Sequence, residues 1–214
     1  MTSFVRLSGL KAITVCAALS TTASLALAGQ YIVPADEIVH ALQPKPLTRG
    51  LSFGAPQVTP AMKMQQMGFI RSIRNRKTRS LSLGERDQIA QISSTKPKID
   101  LNIQFDFNSA AISKASLPAA EELGKALSNP SLKGSTFVVA GNTDAVGSEA
   151  YNRVLSDRRA DTIKHFLVAH YGINASDLIT VGYGKTRLKD PEHPTAAINR
   201  RVEVVNMKSR TALR

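Results

Sequence analysis

The amino-acid sequence predicts an α/β fold for residues 99–207, an α+β two-layer sandwich in which helices pack on one face of a mixed sheet. One observation is the stretch IDLNIQFDF at 99–107, where apolar and polar residues alternate strictly, as in a strand with one buried face. A second observation is the order of the elements, which is strand, helix, strand, helix, strand, strand. Such alternation favours a single sheet with helices packed against it.

The elements that follow the first strand are bounded by typical stop signals. A helix over 113–128 ends at Asn129-Pro130, and TFVVA at 136–140 is a short apolar strand. A polar loop with two glycines leads into a long helix over 149–171, for which Gly172 is the expected C-terminal stop. The last two strands are expected at 178–183 and 201–207.

The first 28 residues have the layout of a secretory signal. Two basic residues precede an apolar stretch, and Ala26-Leu27-Ala28 closes it, so cleavage is expected after Ala28. A membrane-spanning helix is the alternative, although the apolar part is short and contains several Ser and Thr residues. The single cysteine, Cys16, lies in this segment, so the mature chain is expected to have no disulfide, no thiolate metal site and no transmembrane segment.

Residues 29–81 are predicted to be a flexible, basic, proline-containing arm. They hold five of the ten prolines, and no helical or alternating pattern lasts long there. Residues 38–84 contain eight Lys or Arg and no carboxylate, and five of these cations lie in RSIRNRKTR at 71–79. The arm is either a solvated tether or a contact for an anionic surface.

A short helix and a linker are expected at 82–98, and a basic tail at 208–214. Ser82 and Glu85 have the spacing of a capping box, so the helix is predicted over 83–93, and Lys96-Pro97-Lys98 ends it.

The formal net charge of +12 and the pI near 10.1 favour a polyanionic partner: nucleic acid, an anionic membrane or an acidic cell-wall polymer. An export signal and the lack of aromatic residues among the basic ones disfavour nucleic acid. An exported basic adaptor that binds anionic membrane or nucleic acid through its arm remains the alternative function. A porin is excluded, because residues 29–98 cannot supply eight strands of about ten alternating residues.

One arginine lies where the long helix should be apolar. Leu155, Arg159 and Ile163 are spaced as one stripe, and a buried guanidinium without a partner is costly. Asp144, in the loop before the helix, is the local carboxylate. Either Asp144 and Arg159 pair with each other, or they lie apart and bind the opposite charges of one zwitterionic ligand, and helical periodicity leaves both open.

The stretch TFVVAGNTDAVGSEAYNRVLSDRRADTIKHFL resembles the signature of the OmpA-like C-terminal domain, a peptidoglycan-associating module of Gram-negative envelopes. The resemblance covers about 99–207 and includes FDFNSA at 105, VGYG at 181 and NRRVEV at 199. It implies that the ligand is the meso-diaminopimelate of the stem peptide, with Asp144 binding its ammonium and Arg159 its carboxylate. It further implies a set of supporting residues: Asn152 beside the ligand, Thr143 and Phe107 lining the pocket, Asn142 in place of the family's histidine, and Arg200 or Arg201 closing the rim.

The sequence therefore indicates a non-catalytic protein without a cofactor or metal. The four histidines are scattered, and no nucleophile elbow or phosphate-binding loop is present. The resemblance implies a periplasmic protein associated with the outer membrane or cell wall, which tethers the envelope to peptidoglycan, with outer-membrane proteins as further partners and no nucleic acid.

Overall fold

The computed structural model describes residues 31–44, 59–106 and 108–208. The chain divides into Met1–Tyr31, nearly all of which lies outside the described residues, and one compact unit, Ile32–Arg214. The expected signal segment, Phe107 and most of the basic tail lie outside the described residues. Among the described residues, no helix is both long enough and apolar enough to cross a bilayer.

The compact unit contains five α-helices and one four-stranded sheet within its described part. The helices are α1 (Ala35–Leu42), α2 (Pro60–Ile73), α3 (Leu83–Ser93), α4 (Leu117–Leu127) and α5 (Glu149–Tyr171). The strands are β1 (Lys98–Leu101), β2 (Phe137–Asn142), β3 (Leu178–Gly184) and β4 (Val202–Asn206). The sheet order is β1-β4-β2-β3, with β2 and β3 parallel and the other two pairs antiparallel, so the predicted mixed sheet and α/β class are confirmed.

Helices cover both faces of the sheet, and the prediction of one covered face is wrong. Val139 of β2 packs in a core with residues of α1, α4 and α5, whereas its neighbours Val138 and Ala140 pack in a second core with residues of α2 and α3. All six residues of β2 and all seven of β3 are buried. Continuous burial of this kind is expected for strands enclosed from both sides.

The segment predicted to be an unpacked arm contributes one helix to each core, α1 to the core with α4 and α5 and α2 to the core with α3. For its described residues this prediction is wrong, because α1 buries Ile38, Val39 and Leu42, and α2 buries Ile70 and Ile73. Helices this short are marginal in isolation, so the packing of their apolar residues against the rest of the domain stabilises them. Two arginines of the cluster at 71–79 form ion pairs within the chain, Arg74 with Asp177 and Arg76 with Glu85.

The first strand is shorter than the alternation predicted. Burial still alternates through Ile103 and Phe105, but the ladder ends where Leu101 pairs with Val202. The Ile103 N–H then donates to the Leu101 carbonyl at 3.0 Å, a tight turn that leads the chain away from β4.

Other predicted elements agree closely with the structure. The long helix spans Glu149–Tyr171 and ends at Gly172 with φ of 63°, a left-handed conformation that glycine adopts without strain. The short helix spans Leu83–Ser93, and both bonds of the Ser82–Glu85 capping box form.

Two glycines bring α5 close to the sheet and so position the residues that α5 carries. A Cβ atom on Gly141 would lie 2.4 Å from the Ser156 carbonyl oxygen, and one on Gly182 would lie 2.4 Å from the Asp157 nitrogen. α5 also provides hydrogen-bond acceptors for backbone N–H groups of β3, the edge strand. Gly182 N–H donates to Asp157 Oδ1 and Gly184 N–H donates to Ser156 Oγ, both at 2.8 Å.

Candidate functional site

A pocket of about 580 Å³ lies past the C-terminal end of β2, between the loop that leads to α5 and the segment after β1. This volume is within the range of small-molecule sites, which is about 300–1,000 Å³. Its lining includes residues of both charges, amides and aromatic rings. The residues that line it and are used below are Phe105, Asn108, Asn142, Thr143, Asp144, Tyr151, Asn152, Arg159 and Arg200.

Asp144 is held by the loop between β2 and α5. The preceding Thr143 N–H donates to the Gly184 carbonyl at 2.9 Å, which ties the loop to the end of β3. Asp144 Oδ1 accepts from the Val146 N–H at 3.2 Å, and Oδ2 accepts from Arg200 Nη1 at 2.8 Å. An ionised carboxylate has about four acceptor positions, so these two bonds leave room for a further donor.

Arg159 enters the same pocket from α5. Its Nε donates to the Ser109 carbonyl at 3.2 Å, and its guanidinium carbon lies 4.9 Å from the centre of the Phe105 ring. The residue is half-buried, and desolvation lowers the pKa of its guanidinium because burial disfavours the charged form. An aromatic face and a carbonyl therefore accommodate this cation on the apolar stripe of the helix.

Asp144 and Arg159 line one pocket without pairing. Within the described ranges, the ion-pair partner of Asp144 is Arg200, and no ion pair joins Asp144 to Arg159. In the same ranges, the hydrogen bond of the Arg159 side chain comes from Nε, so its two terminal nitrogens form none. Of the two arrangements that the sequence left open, the described residues have the one in which the charges lie apart.

Three further predicted residues line the pocket. Asn152 Nδ2 donates to the Val146 carbonyl at 2.7 Å, which braces the loop that carries Asp144. Thr143 is buried, and its hydroxyl donates to the Asp144 carbonyl at 3.0 Å. Asn142 is 3% exposed, and neither its Oδ1 nor its Nδ2 has a hydrogen-bond partner among the described residues. A buried amide without partners is uncommon and calls for an explanation.

The sequence predicts Arg200 or Arg201 at the rim, and of these two Arg200 lines the pocket. Arg201 Nε donates to Asp100 Oδ1 at 3.1 Å, and its terminal nitrogens donate to the Arg187 carbonyl. Arg201 is instead held away from the pocket by its carboxylate partner on β1 and by the Arg187 carbonyl. Phe107, the remaining predicted residue, lies outside the described residues.

Sequence reasoning missed the residues that the segment after β1 supplies. Phe105 was read as one more apolar position of a long strand, and Ser109 contributes a backbone carbonyl, which no side-chain pattern reveals. Tyr151 of α5 is a further residue of the pocket, because its hydroxyl donates to the Asn108 side chain across it. Tyr151 is eight residues before Arg159, so helical spacing already placed both on one face.

Metal coordination finds no support among the described residues, where no group of three or more His, Cys, Asp or Glu is placed to hold an ion.

The fold and the pocket define a sheet-and-helix domain with a carboxylate and a guanidinium in one pocket. Residues 104–201 match the model of the OmpA family. Outer membrane porin F of Pseudomonas aeruginosa is 36% identical over 110 residues, which is 50% of this chain and 30% of that protein. Outer membrane protein A of Klebsiella pneumoniae is 39% identical over 85 residues, 40% of this chain and 24% of that protein. Residues 104–201 thus form a domain of the OmpA family, as the sequence motifs indicated.

The chain spans about a quarter to a third of the length of these curated relatives. Among solved structures, the peptidoglycan-associated lipoprotein from Burkholderia pseudomallei is 24% identical with a TM-score of 0.41, over 49% of this chain and 87% of that one. The C-terminal domain of Helicobacter pylori MotB is 25% identical with a TM-score of 0.43, over 52% of this chain and 86% of that one. The family assignment rests on the family model and on the sequence identities.

Proposed function

We propose that this protein is a non-catalytic peptidoglycan-binding protein of the Gram-negative envelope, periplasmic and associated with the outer membrane or cell wall. OmpA-like domains commonly associate with peptidoglycan, and the two sequence relatives named above are an outer membrane porin and an outer membrane protein. The observation that carries the proposal is the pocket in which a carboxylate and a guanidinium lie apart, each with hydrogen-bonding capacity to spare.

The proposed ligand is the meso-diaminopimelate residue of the stem peptide. Its side chain ends in an ammonium and a carboxylate on one carbon, so both charges can be bound within one small pocket. Arg159 offers its two terminal nitrogens to the ligand carboxylate, which suits a planar two-bond contact. Asp144 receives the ammonium through the acceptor positions that Val146 and Arg200 leave.

Supporting residues shape this site rather than supply its charges. Asn152 holds the loop, and Arg200 fixes the orientation of the Asp144 carboxylate at the rim. The buried Asn142 amide, which can both donate and accept, is proposed to complete its hydrogen bonds when the ligand or its hydration enters the pocket. The chemistry is reversible recognition, and it requires no bond to form or break.

The test is co-sedimentation of the full chain with isolated sacculi, with free meso-diaminopimelate as competitor. Asp144→Asn and Arg159→Lys keep the size or the charge of the side chain, so both should keep the circular dichroism spectrum while losing most of the sedimented fraction. Exposed Arg158→Lys on the same helix is the matched control and should bind like the parent.

Sacculi whose stem peptides carry lysine instead of diaminopimelate distinguish the contribution of the ligand ammonium from that of the ligand carboxylate. Lysine retains the terminal ammonium and lacks the carboxylate, so binding should weaken, and Arg159→Lys should weaken it little further. Equal binding of both wall types by the parent protein, or full retention of binding by Asp144→Asn and Arg159→Lys, would contradict the proposed ligand.

A further inference from the structure

A second concave site, which we term the basic groove, lies at the opposite end of the sheet from the candidate pocket. It encloses about 330 Å³ beside the residues that precede β2 and follow β4. Its other walls are α2 and the end of α3. Its lining includes the cations Arg71, Arg74, Lys96 and Lys208 and the apolar residues Met67 and Ile70.

Four cations line the basic groove, and no carboxylate does. Arg74 is anchored, because it pairs with Asp177 and its Nε donates to the Ser176 carbonyl at 2.9 Å. Arg71 and Lys208 are exposed, and within the described ranges the hydrogen bond of Lys208 Nζ is a long one, 3.4 Å to the Lys133 carbonyl. The exposed cations Arg71 and Lys208 therefore favour a carboxylate-bearing ligand.

Apolar side chains lie between these cations. Ile70, Ile92 and Met207 are buried, whereas Met67 is 44% exposed. Met64, one helical turn before Met67, is 74% exposed and extends the same side of α2 beyond the groove. Unbranched, polarisable methionine side chains adapt to varied partners and recur at peptide-binding surfaces.

We propose that the basic groove binds an acidic peptide segment of another protein, with its carboxylates at Arg71 and Lys208 and an apolar side chain on Met67. The segments of this chain outside the described residues contain no Asp or Glu, so their side chains do not supply the complementary charge. A concave site with an anchored arginine suits an extended chain better than a flat bilayer, which would reach only its rim.

The test measures fluorescence anisotropy of a labelled decapeptide of alternating Glu and Leu with the full chain. Peptides with Lys in place of Glu, or with Ser in place of Leu, report the charge and the apolar parts of recognition. Arg71→Glu with Lys208→Glu should weaken binding of the Glu-Leu peptide by about tenfold or more, since two charge pairs become repulsive. The matched control, Arg79→Glu with Lys114→Glu, changes two exposed cations outside the groove and the net charge by the same amount.

The expected pattern is binding of the Glu-Leu peptide, weak binding of the Glu-Ser peptide and none of the Lys-Leu peptide. Binding should also weaken in higher salt and persist in Asp144→Asn, because the groove is separate from the candidate pocket. An equal loss of peptide binding in the groove variant and the control variant would show that net charge alone determines binding, and would overturn the proposal. So would loss of peptide binding in Asp144→Asn, or a groove-dependent binding of phosphatidylglycerol vesicles without binding of the peptide.

Discussion

Arg86 of α3 and Asp157 of α5 form a buried, two-bond ion pair that joins the two sides of the sheet. The Nη1–Oδ1 and Nη2–Oδ2 distances are 2.7 and 3.0 Å, and the side chains are only 7% and 5% exposed. The remaining Arg86 donors reach the carbonyls of Thr78, Leu81 and Gly182. Arg86 precedes the family-matched range of 104–201, so the N-terminal segment completes the polar network of the domain.

Loss of Arg86 should destabilise the protein strongly. Arg86→Met leaves the Asp157 charge buried and partly unpaired, which typically costs about 3–5 kcal/mol. The free energy of unfolding, measured by urea denaturation, checks this value. Arg79→Met is the control, since Arg79 is exposed, and it should change stability by less than about 0.5 kcal/mol.

The double variant Arg86→Met with Asp157→Leu then tests the cause. It should recover part of the lost stability, because no charge remains buried, although Gly182 N–H loses its acceptor. A double variant less stable than Arg86→Met would show that the unpaired carboxylate is not the source of the loss.

Gly141→Ala should destabilise the domain by about 1–3 kcal/mol, because the new methyl group meets the backbone of α5. The helix must move to accommodate it, so wall binding through Arg159 should weaken as well. Gly68→Ala in α2 is the matched control, where a Cβ meets nothing within 4 Å and helix formation should gain about 0.5–1 kcal/mol. Thermal unfolding of the two variants should shift in opposite directions, and parallel shifts would contradict the close approach of α5.

The capping box predicts a pH dependence of stability at acid pH. Hydrogen bonds from the Ser82 backbone and from Arg76 lower the pKa of Glu85 from 4.5 to about 2. Because the folded-state pKa is lowered, the stabilising effect is complete above the unfolded-state pKa and is lost as the pH falls towards 2. Glu85→Gln should show a shallower loss of stability over this window than the parent, as measured by denaturant unfolding at successive pH values. An identical slope in both proteins would rule out this contribution.

Asn142→Leu should weaken binding to sacculi without lowering the stability of the free domain. Neither polar atom of this side chain has a partner among the described residues, so the substitution should leave the free energy of unfolding unchanged or raise it. It should weaken co-sedimentation with sacculi by about tenfold, because a pair of ligand hydrogen bonds is lost. Substantial destabilisation without loss of binding would mean that the amide has a structural partner in solution.

The sequence predicted the bounds of those helices whose start and stop signals lie within a few residues of the helix ends. The ends of α3 and α5 follow from a capping box and a C-terminal glycine, which act on adjacent backbone groups. The position of Arg159 was also predictable, because a helix has a fixed period and an arginine interrupts its apolar face. The length of β1 was not visible, because alternation continues past Leu101 while the hydrogen-bonding partner strand does not.

What the sequence established about this protein is its α/β class, its motif-bearing strands and helices, and the two charges of the candidate site. Only the tertiary structure decided that α1 and α2 are packed helices, that both faces of the sheet are covered, and that Arg200 rather than Arg201 reaches the pocket. The physical reason is that helix caps and strand alternation depend on neighbours along the chain. Layering and side-chain partners depend on surfaces brought together from distant residues, as for Arg86 and Asp157, which are 71 positions apart.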